Sequence, residues 1–387
     1  MKKFKYPLSS DTWNKKELLA IQDVIKSKKF TMGKKVENFE KAFSKYIGTK
    51  YCIMVNSGSS ANLLMVASLF FMKKNKLKRG DEVIVPAISW STTFYPLSQY
   101  GLKLKFVDID LETLNFDLDQ LSKAITKKTK LIMVVNLLGN PNHFKKIKNI
   151  IKSKKILMIE DNCESLGAEF QGKKTGTFGI MGSYSTFYSH HISTMEGGII
   201  STNNEELYHI LLSLRAHGWT RNLPKKNVLT NKKHEDQFYE YFRFILPGYN
   251  LRPLEISGAV GIEQLKKLPN LINKRRKNAV FFTSKLKNHP KLLIQKEISK
   301  SSWFGFSLIV KPNVNYDRKK LINELKRLGF ECRPIVAGNF TESESYKYLN
   351  AKIFNKLNIA KYVSKNGVYI GNNHHDMKKA ILKLSKL

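Results

Sequence analysis

Cysteine is scarce in this chain. Cys52, Cys163 and Cys332 are all it has in 387 residues, and no two form a C-x-x-C pair. An odd count at such spacing excludes a disulfide framework and fits a reducing, cytoplasmic setting. Long apolar runs are also missing: nothing approaches the roughly eighteen residues that a membrane-spanning helix needs. The opening MKKFKYPLSSDTW carries charge without an apolar segment behind it, so no secretory signal is expected. No internal repeat or low-complexity segment stands out. Acidic residues are few, 31 against 67 Lys and Arg, for a net charge of +36. Such a balance by itself points to nucleic acid or an anionic surface. The lysines, however, are spread along the whole chain, and no helix concentrates them with interleaved aromatics. The charge therefore reads as a solvated surface that attracts small anionic substrates, without a nucleic-acid partner.

What is present is globular. Apolar residues make up 42% and aromatics 11%, and the length allows two domains. Helical periodicity covers 11–28 and resumes from Val36 to Tyr46. Apolar runs at 52–56, 82–86, 103–107, 131–138 and 156–160 read as buried strands, with helical patterns at 62–72, 116–125 and 143–151 between them. That alternation predicts an α/β architecture around a mainly parallel sheet. A helix at 209–219, an irregular polar loop at 222–240 and a helix at 255–265 follow. A basic helix at 270–289 then reads as a hinge into a smaller C-terminal α+β domain, with a strand at 304–310 and a helix at 318–328. The expected domains are 1–268 and 269–387.

Chemistry concentrates in Gly182–Gly198, GSYSTFYSHHISTMEGG. A strand at 184–188 and another from Gly198 to Ser201 flank His190, His191, Glu196 and a Gly-Gly step, where backbone must approach something closely. Taken alone, the stretch reads as one buried and one solvated histidine beside a turn. Upstream, Ile156–Asp161 is an apolar run ending in two acids, as a buried strand ends at a site. Cys52–Asn56 runs into Ser57-Gly58-Ser59-Ser60 and a helix, which has the form of a phosphate cradle and equally of an ordinary helix cap.

In that order these motifs resemble the pyridoxal-phosphate enzymes of the aspartate aminotransferase fold (fold type I), and more closely the sugar aminotransferase/dehydratase family that acts on nucleotide-linked keto sugars. The resemblance covers nearly the whole chain. It implies that Gly58, Ser59 and Ser185 bind the cofactor phosphate, that Trp90 stacks on the pyridine ring and that Asp161 pairs with the ring nitrogen. It also implies that Asn250 of Gly-Tyr-Asn-Leu-Arg reaches the phosphate in the other subunit of a homodimer; the local sequence would equally suit Asn250 as a helix cap. His217, Arg221 and Arg333 are candidate contacts to the nucleotide sugar. Glu164 lies near the same edge without an assigned role.

One departure from the family pattern carries the functional reading. Six residues before the Glu of Glu-Gly-Gly, most members have the lysine that binds the cofactor; here the position is His190. Imidazole forms no stable Schiff base, so the cofactor, pyridoxal 5′-phosphate or pyridoxamine 5′-phosphate, is expected to be held non-covalently. His190 becomes the candidate acid–base group. The exchange, together with Arg333-Pro and Gly338-Asn339, resembles the family's 3-dehydratase branch. That branch implies removal of the 3-hydroxyl of a nucleotide-linked 4-keto-6-deoxyhexose, with GDP-4-keto-6-deoxymannose the foremost candidate and L-glutamate as amino donor. The residues themselves leave the base and the hexose stereochemistry open. Three distant cysteines do not suit the iron–sulfur cluster of a second dehydratase type, and Gly371–Asp376, with its adjacent histidines, does not suit a metal. An aminotransferase with an unusual base, and a non-catalytic basic binding protein on the same fold, are the alternatives.

Overall fold

The computed structural model describes residues 4–152 and 154–387. Helices α1 (Lys15–Ser27) and α2 (Lys34–Ile47) precede β1 (Tyr51–Val55). Helix and strand then alternate: α3 (Gly58–Ser68), β2 (Glu82–Pro86), α4 (Ser91–Gln99), β3 (Lys103–Val107), α5 (Leu118–Ala124), β4 (Thr129–Val135), α6 (Phe144–Ile151) and β5 (Leu157–Asp161). A hairpin of β6 (Glu169–Phe170) and β7 (Lys173–Lys174) leads to β8 (Met181–Ser185) and β9 (Gly198–Thr202). Next come α7 (Glu205–Leu214), a second hairpin of β10 (Lys226–Asn227) and β11 (Asn231–Lys232), α8 (Gln237–Tyr241) and the long α9 (Glu255–Leu286). The rest is β12 (Leu292–Leu293), β13 (Gly305–Val310), α10 (Arg318–Arg327), β14 (Cys332–Arg333), β15 (Ala351–Ile353), α11 (Asn358–Asn366), β16 (Gly367–Gly371) and α12 (Lys378–Leu384).

Eight strands form the main sheet in the order β1-β9-β8-β5-β4-β2-β3-β15. β9 is antiparallel to both neighbours, and the other pairings are parallel. The central strands are almost wholly buried and mainly apolar, as strands covered on both faces are. With β9 alone reversed, the loops after β1, β2, β4, β5 and β8 all emerge at one edge, where ligands of open α/β sheets bind.

Helices α2 and α9 pack together on one face, over Phe39, Phe43, Tyr184 and Ile199. Gly261 permits this approach, since a Cβ there would stand 2.8 Å from the Phe39 ring. Phe39 and Phe43 are fully buried, each worth about 1.5–3 kcal/mol of transfer free energy. Glu255, at the start of α9, accepts hydrogen bonds from the Gly33 (2.7 Å) and Lys35 (2.6 Å) amides and so caps α2 with a negative charge.

Several boundaries differ from expectation. The strand read at 184–188 is β8 at Met181–Ser185; it is buried on both sides, so no alternation marks it. The helix expected at 209–219 starts at Glu205, capped by Asn204, and stops at Leu214, before His217 takes a left-handed φ of 59°. The 222–240 loop contains a hairpin and α8, which Asp236 caps. The helices expected at 255–265 and 270–289 are one, α9, which runs through Pro269. A proline costs one hydrogen bond and a steric clash there. Packing on both sides offsets it: Leu265, Leu268 and Ile272 face the α2 cluster, while Ala279, Phe282 and Leu286 face a second core over the sheet β12-β13-β16-β14. The proposed division at 268/269 thus falls inside α9, ahead of the stretch between Ile272 and Ala279 where its partner core changes.

Candidate active site

A cavity of about 340 Å³ opens at the sheet edge where those loops converge. Gly58, Ser59, Trp90, Asp161, Ser185, His190 and Arg333 line it, all singled out by the sequence. The α3 N-terminus forms one wall. Ser57 Oγ accepts from the Ser60 amide at 3.0 Å, and helix geometry leaves the Gly58 and Ser59 amides without intrahelical partners. Ser185 stands directly opposite, and a Cβ at Gly58 would lie 2.7 Å from its Cβ. The Gly-Gly step explains itself here: a Cβ at Gly198 would be 2.0 Å from the Ser57 carbonyl oxygen. Three chain segments thus close on one small anion-binding corner.

Asp161, at the end of β5, is buried and surrounded by donors. Its Oδ2 accepts from Asn62 Nδ2 and Thr93 Oγ1, both at 2.8 Å, and its Oδ1 from the Cys163 amide at 3.0 Å. Ser183 Oγ in turn donates to Asn62 Oδ1 at 2.6 Å. This donor-only shell suits a fixed carboxylate. Glu160 points the other way and accepts from the Gly176, Phe178 and Gly179 amides, holding the chain that enters β8. Trp90 lines the cavity and is 57% exposed, so its indole is accessible to a ligand there.

After β8 the chain turns, with the Phe187 amide on Ser185 Oγ (3.2 Å) and the His190 amide on the Phe187 carbonyl (2.9 Å). His190 is half-buried in the cavity wall and, among the described residues, neither ring nitrogen has a partner; Nδ1 is shut off from solvent, so Nε2 is the nitrogen presented to the cavity. Burial, with the Arg275 charge adding to it, pulls its pKa down to about 4, which leaves the imidazole neutral at pH 7. His191 is buried, with Nε2 3.2 Å from the Ser302 carbonyl. No lysine lines the cavity.

The structure adds residues that sequence reasoning did not place. Glu164 lines the cavity with Oε2 on the Leu138 amide (2.9 Å); burial, helped by the Asp161 charge, pushes it up to about 7. Phe304 comes from the segment before β13 and sets its ring 5.2 Å from that of His190. No local signal marks Phe304, because only the tertiary fold brings it there. Asn250, His217 and Arg221 lie outside this cavity. Asn250 is exposed, and its Oδ1 accepts from Arg252 Nε at 3.0 Å. It is not the cap of α9, whose first flanking residue is Leu254. Arg221 stacks on Trp219, 4.1 Å from the ring centre, amid the exposed aromatics Tyr241 and Phe242.

The sequence profile of the DegT/DnrJ/EryC1/StrS aminotransferase family matches residues 11–382. The chain belongs to that family. Within it, the chain is 58% identical to GDP-4-keto-6-deoxy-D-mannose 3-dehydratase of Escherichia coli O55:H7, over 96% of each chain. It is 57% identical to the enzyme of that name from Yersinia pseudotuberculosis, over 98% of this chain and 97% of the relative. Among solved structures, the E. coli GDP-4-keto-6-deoxy-D-mannose-3-dehydratase with bound hydrated PLP superposes with a TM-score of 0.98 at 57% identity, covering 99% of each chain. A variant with a serine-to-asparagine and a histidine-to-lysine exchange at consecutive positions gives 0.96 at 56% identity, covering 97% of this chain and 99% of the variant. Family members that are aminotransferases lie further off. PseC of Helicobacter pylori, an aminotransferase in pseudoaminic acid biosynthesis, is 25% identical with a TM-score of 0.84, over 100% of this chain and 98% of its own. The fold is that of PLP-dependent aminotransferases: a large, mostly parallel sheet flanked by helices.

Proposed function

We propose that this chain is a PLP/PMP-dependent dehydratase that removes the 3-hydroxyl of GDP-4-keto-6-deoxymannose, with His190 as catalytic base. One observation carries the reading. Where the cavity would need a lysine to tether the cofactor, it offers an uncharged imidazole with a free nitrogen. The consecutive serine and histidine exchanges of the related variant add support, since Ser189-His190 is the one Ser-His pair in this sequence.

The residues present fit the cofactor: a donor corner for its phosphate, a fixed carboxylate, an accessible indole and an unpartnered imidazole. When bound, the amine form of the cofactor supplies an electron sink and an attachment point for a 4-keto sugar. The chain's residues do the rest. The Gly58 and Ser59 amides and Ser185 hold the phosphate, Asp161 keeps the ring nitrogen protonated, and Trp90 covers the ring. His190 Nε2 takes a proton from the carbon bearing the cofactor amine and returns a proton to the oxygen departing from carbon 3. Arg333, with Arg221 and His217 of a second subunit, serves the sugar diphosphate. Asn250 completes the phosphate site of that second subunit. The balance closes with glutamate: keto sugar and glutamate give the 3-deoxy keto sugar, 2-oxoglutarate and ammonia.

This reading makes the protein a cytoplasmic homodimer serving synthesis of a 3,6-dideoxyhexose such as colitose, found in O-antigen. It needs no iron–sulfur centre; of the three cysteines only Cys163 lines the cavity. The test is incubation with glutamate and a panel of nucleotide-linked 4-keto-6-deoxyhexoses, followed by mass spectrometry. Loss of one oxygen from the GDP-mannose derivative is the expected result. A product that keeps the amine identifies an aminotransferase instead.

A further inference from the structure

Arg275 of α9 is 4% exposed, and among the described residues no carboxylate lies within ion-pair distance of it. A buried, unpaired guanidinium is expensive, and its own pKa is drawn down to about 10 by that burial. Its Nη1 donates to two backbone carbonyls, those of Phe304 (3.2 Å) and Asn372. Phe304 is held from its other side too, since its amide donates to the Leu138 carbonyl at 3.0 Å. Leu138 and Trp303, the residues at this junction, both take left-handed backbone angles, φ 52° and 50°, which non-glycine residues adopt only where surroundings enforce them. The ring so fixed stands 5.2 Å from His190 and 5.7 Å from His191.

We propose that Arg275 is a positioning residue for the reaction: through the Phe304 carbonyl it pins the Phe304 ring against the His190 ring and, as a buried cation without a carboxylate partner among the described residues, it adds to burial in favouring the neutral, proton-accepting imidazole. Several other ionisable groups share the cavity or the loop. They are His191 and Glu196 on the His190 segment, Asp161 and Glu164 after β5, and Arg333 and Tyr369 from the small sheet. Burial is the larger influence on His190, and of the charged groups around it Arg275 is the one that adds to burial in the same direction. A guanidinium that served only to bridge carbonyls would have no need to stay unpaired beside two histidines.

The proposal rests on His190 being the base, but its test reads the protonation of His190 directly. Of the two forms of a histidine ring, diethyl pyrocarbonate modifies only the neutral imidazole. Its rate at His190 in the purified protein, resolved from His191 by peptide fragmentation, should be flat between about pH 5.5 and 8. In a free histidine it would fall through the usual value of about 6.5. Arg275→Met should move the midpoint upward, so that modification at pH 6 slows relative to pH 8, and the acid limb of kcat/KM should move with it. Arg275→Lys, which restores the charge, should return the midpoint toward wild type. Phe304→Leu, with Arg275 intact, should lower kcat at least about tenfold while KM stays within about twofold. A wild-type midpoint near 6.5 overturns the proposal even if Arg275→Met fails to fold. So does a folded Arg275→Met with the wild-type midpoint, or an unchanged kcat in Phe304→Leu. If the modification data hold but turnover is absent with every keto sugar, the functional reading fails and the electrostatic role stands.

Discussion

Gly58 and Ser185 meet at the floor of the cavity, 2.7 Å apart once a methyl is placed on the glycine. That contact joins the first turn of α3 to the end of β8, and it sets the width of the anion corner. Gly58→Ala must push one of the two elements back. Overpacking of this kind costs about 1–3 kcal/mol. Expressed in binding, that is roughly a 5- to 150-fold weaker affinity for pyridoxal phosphate, with the fold retained. An absorbance titration of the purified variant with the cofactor measures it, and wild-type affinity would show that the corner does not hold the phosphate.

Glu164 makes stability depend on pH in a definite direction. Its pKa is raised from 4.5 in the unfolded chain to about 7 in the fold. The folded state therefore binds more protons between these values, and stability falls as pH rises from about 4.5 to 7. Glu164→Gln removes this dependence. Without added cofactor, the variant should gain melting temperature relative to wild type as pH goes from 5 to 8. Parallel melting curves across that range would refute the buried, proton-retaining carboxyl.

Much of this site was legible before any coordinates. β2 and β3 fall at 82–86 and 103–107 as expected; the polar residues inside them, Glu82 and Lys105, pair with each other in the sheet and do not break the pattern. Asp161 declared itself by terminating an apolar run. Glu160 beside it ends the same run but turns away from the cavity. Its partners, the amides of 176–179, belong to a loop whose return to β5 no local pattern announces. Pro269 misled for the opposite reason: a proline reads as a break, yet two cores hold α9 straight through it. Phe304 and Arg275 carry no local signal, because only the tertiary fold brings the segment before β13 against His190 and under α9.

The proposed composite site rests on Asn250, which is exposed and is not among the residues lining its own subunit's cavity. Subunits carrying His190→Asn should be inactive, and so should those carrying Asn250→Asp, whose new carboxylate repels the phosphate. In a mixed dimer one of the two sites has both residues intact. Mixing the variants should therefore restore activity, up to about one quarter of wild type under random exchange of equal amounts. This follows because half the dimers are hybrids with one good site each. No recovery despite subunit exchange proven by native mass spectrometry would place Asn250 outside the site.

The cofactor of the wild type should never be covalently attached, and the argument comes down to His190. The other proposed cofactor contacts, the Gly58–Ser59 corner, Ser185, Trp90 and Asp161, all line one cavity, so binding is expected without a tether. Borohydride treatment of the pyridoxal form should leave the cofactor removable by denaturation. His190→Lys places an amine at the same wall and should become trappable, while dehydration is lost. His190→Asn keeps a polar side chain of similar reach but cannot accept a proton. It should still bind the cofactor, yet turn over roughly two to four orders of magnitude more slowly, the usual worth of a positioned acid–base group. The two variants separate binding from chemistry. If His190→Asn binds normally and dehydrates at the wild-type rate, the proton is moved by another group of the same cavity. Glu164, which retains its proton near neutrality, is then the first to examine.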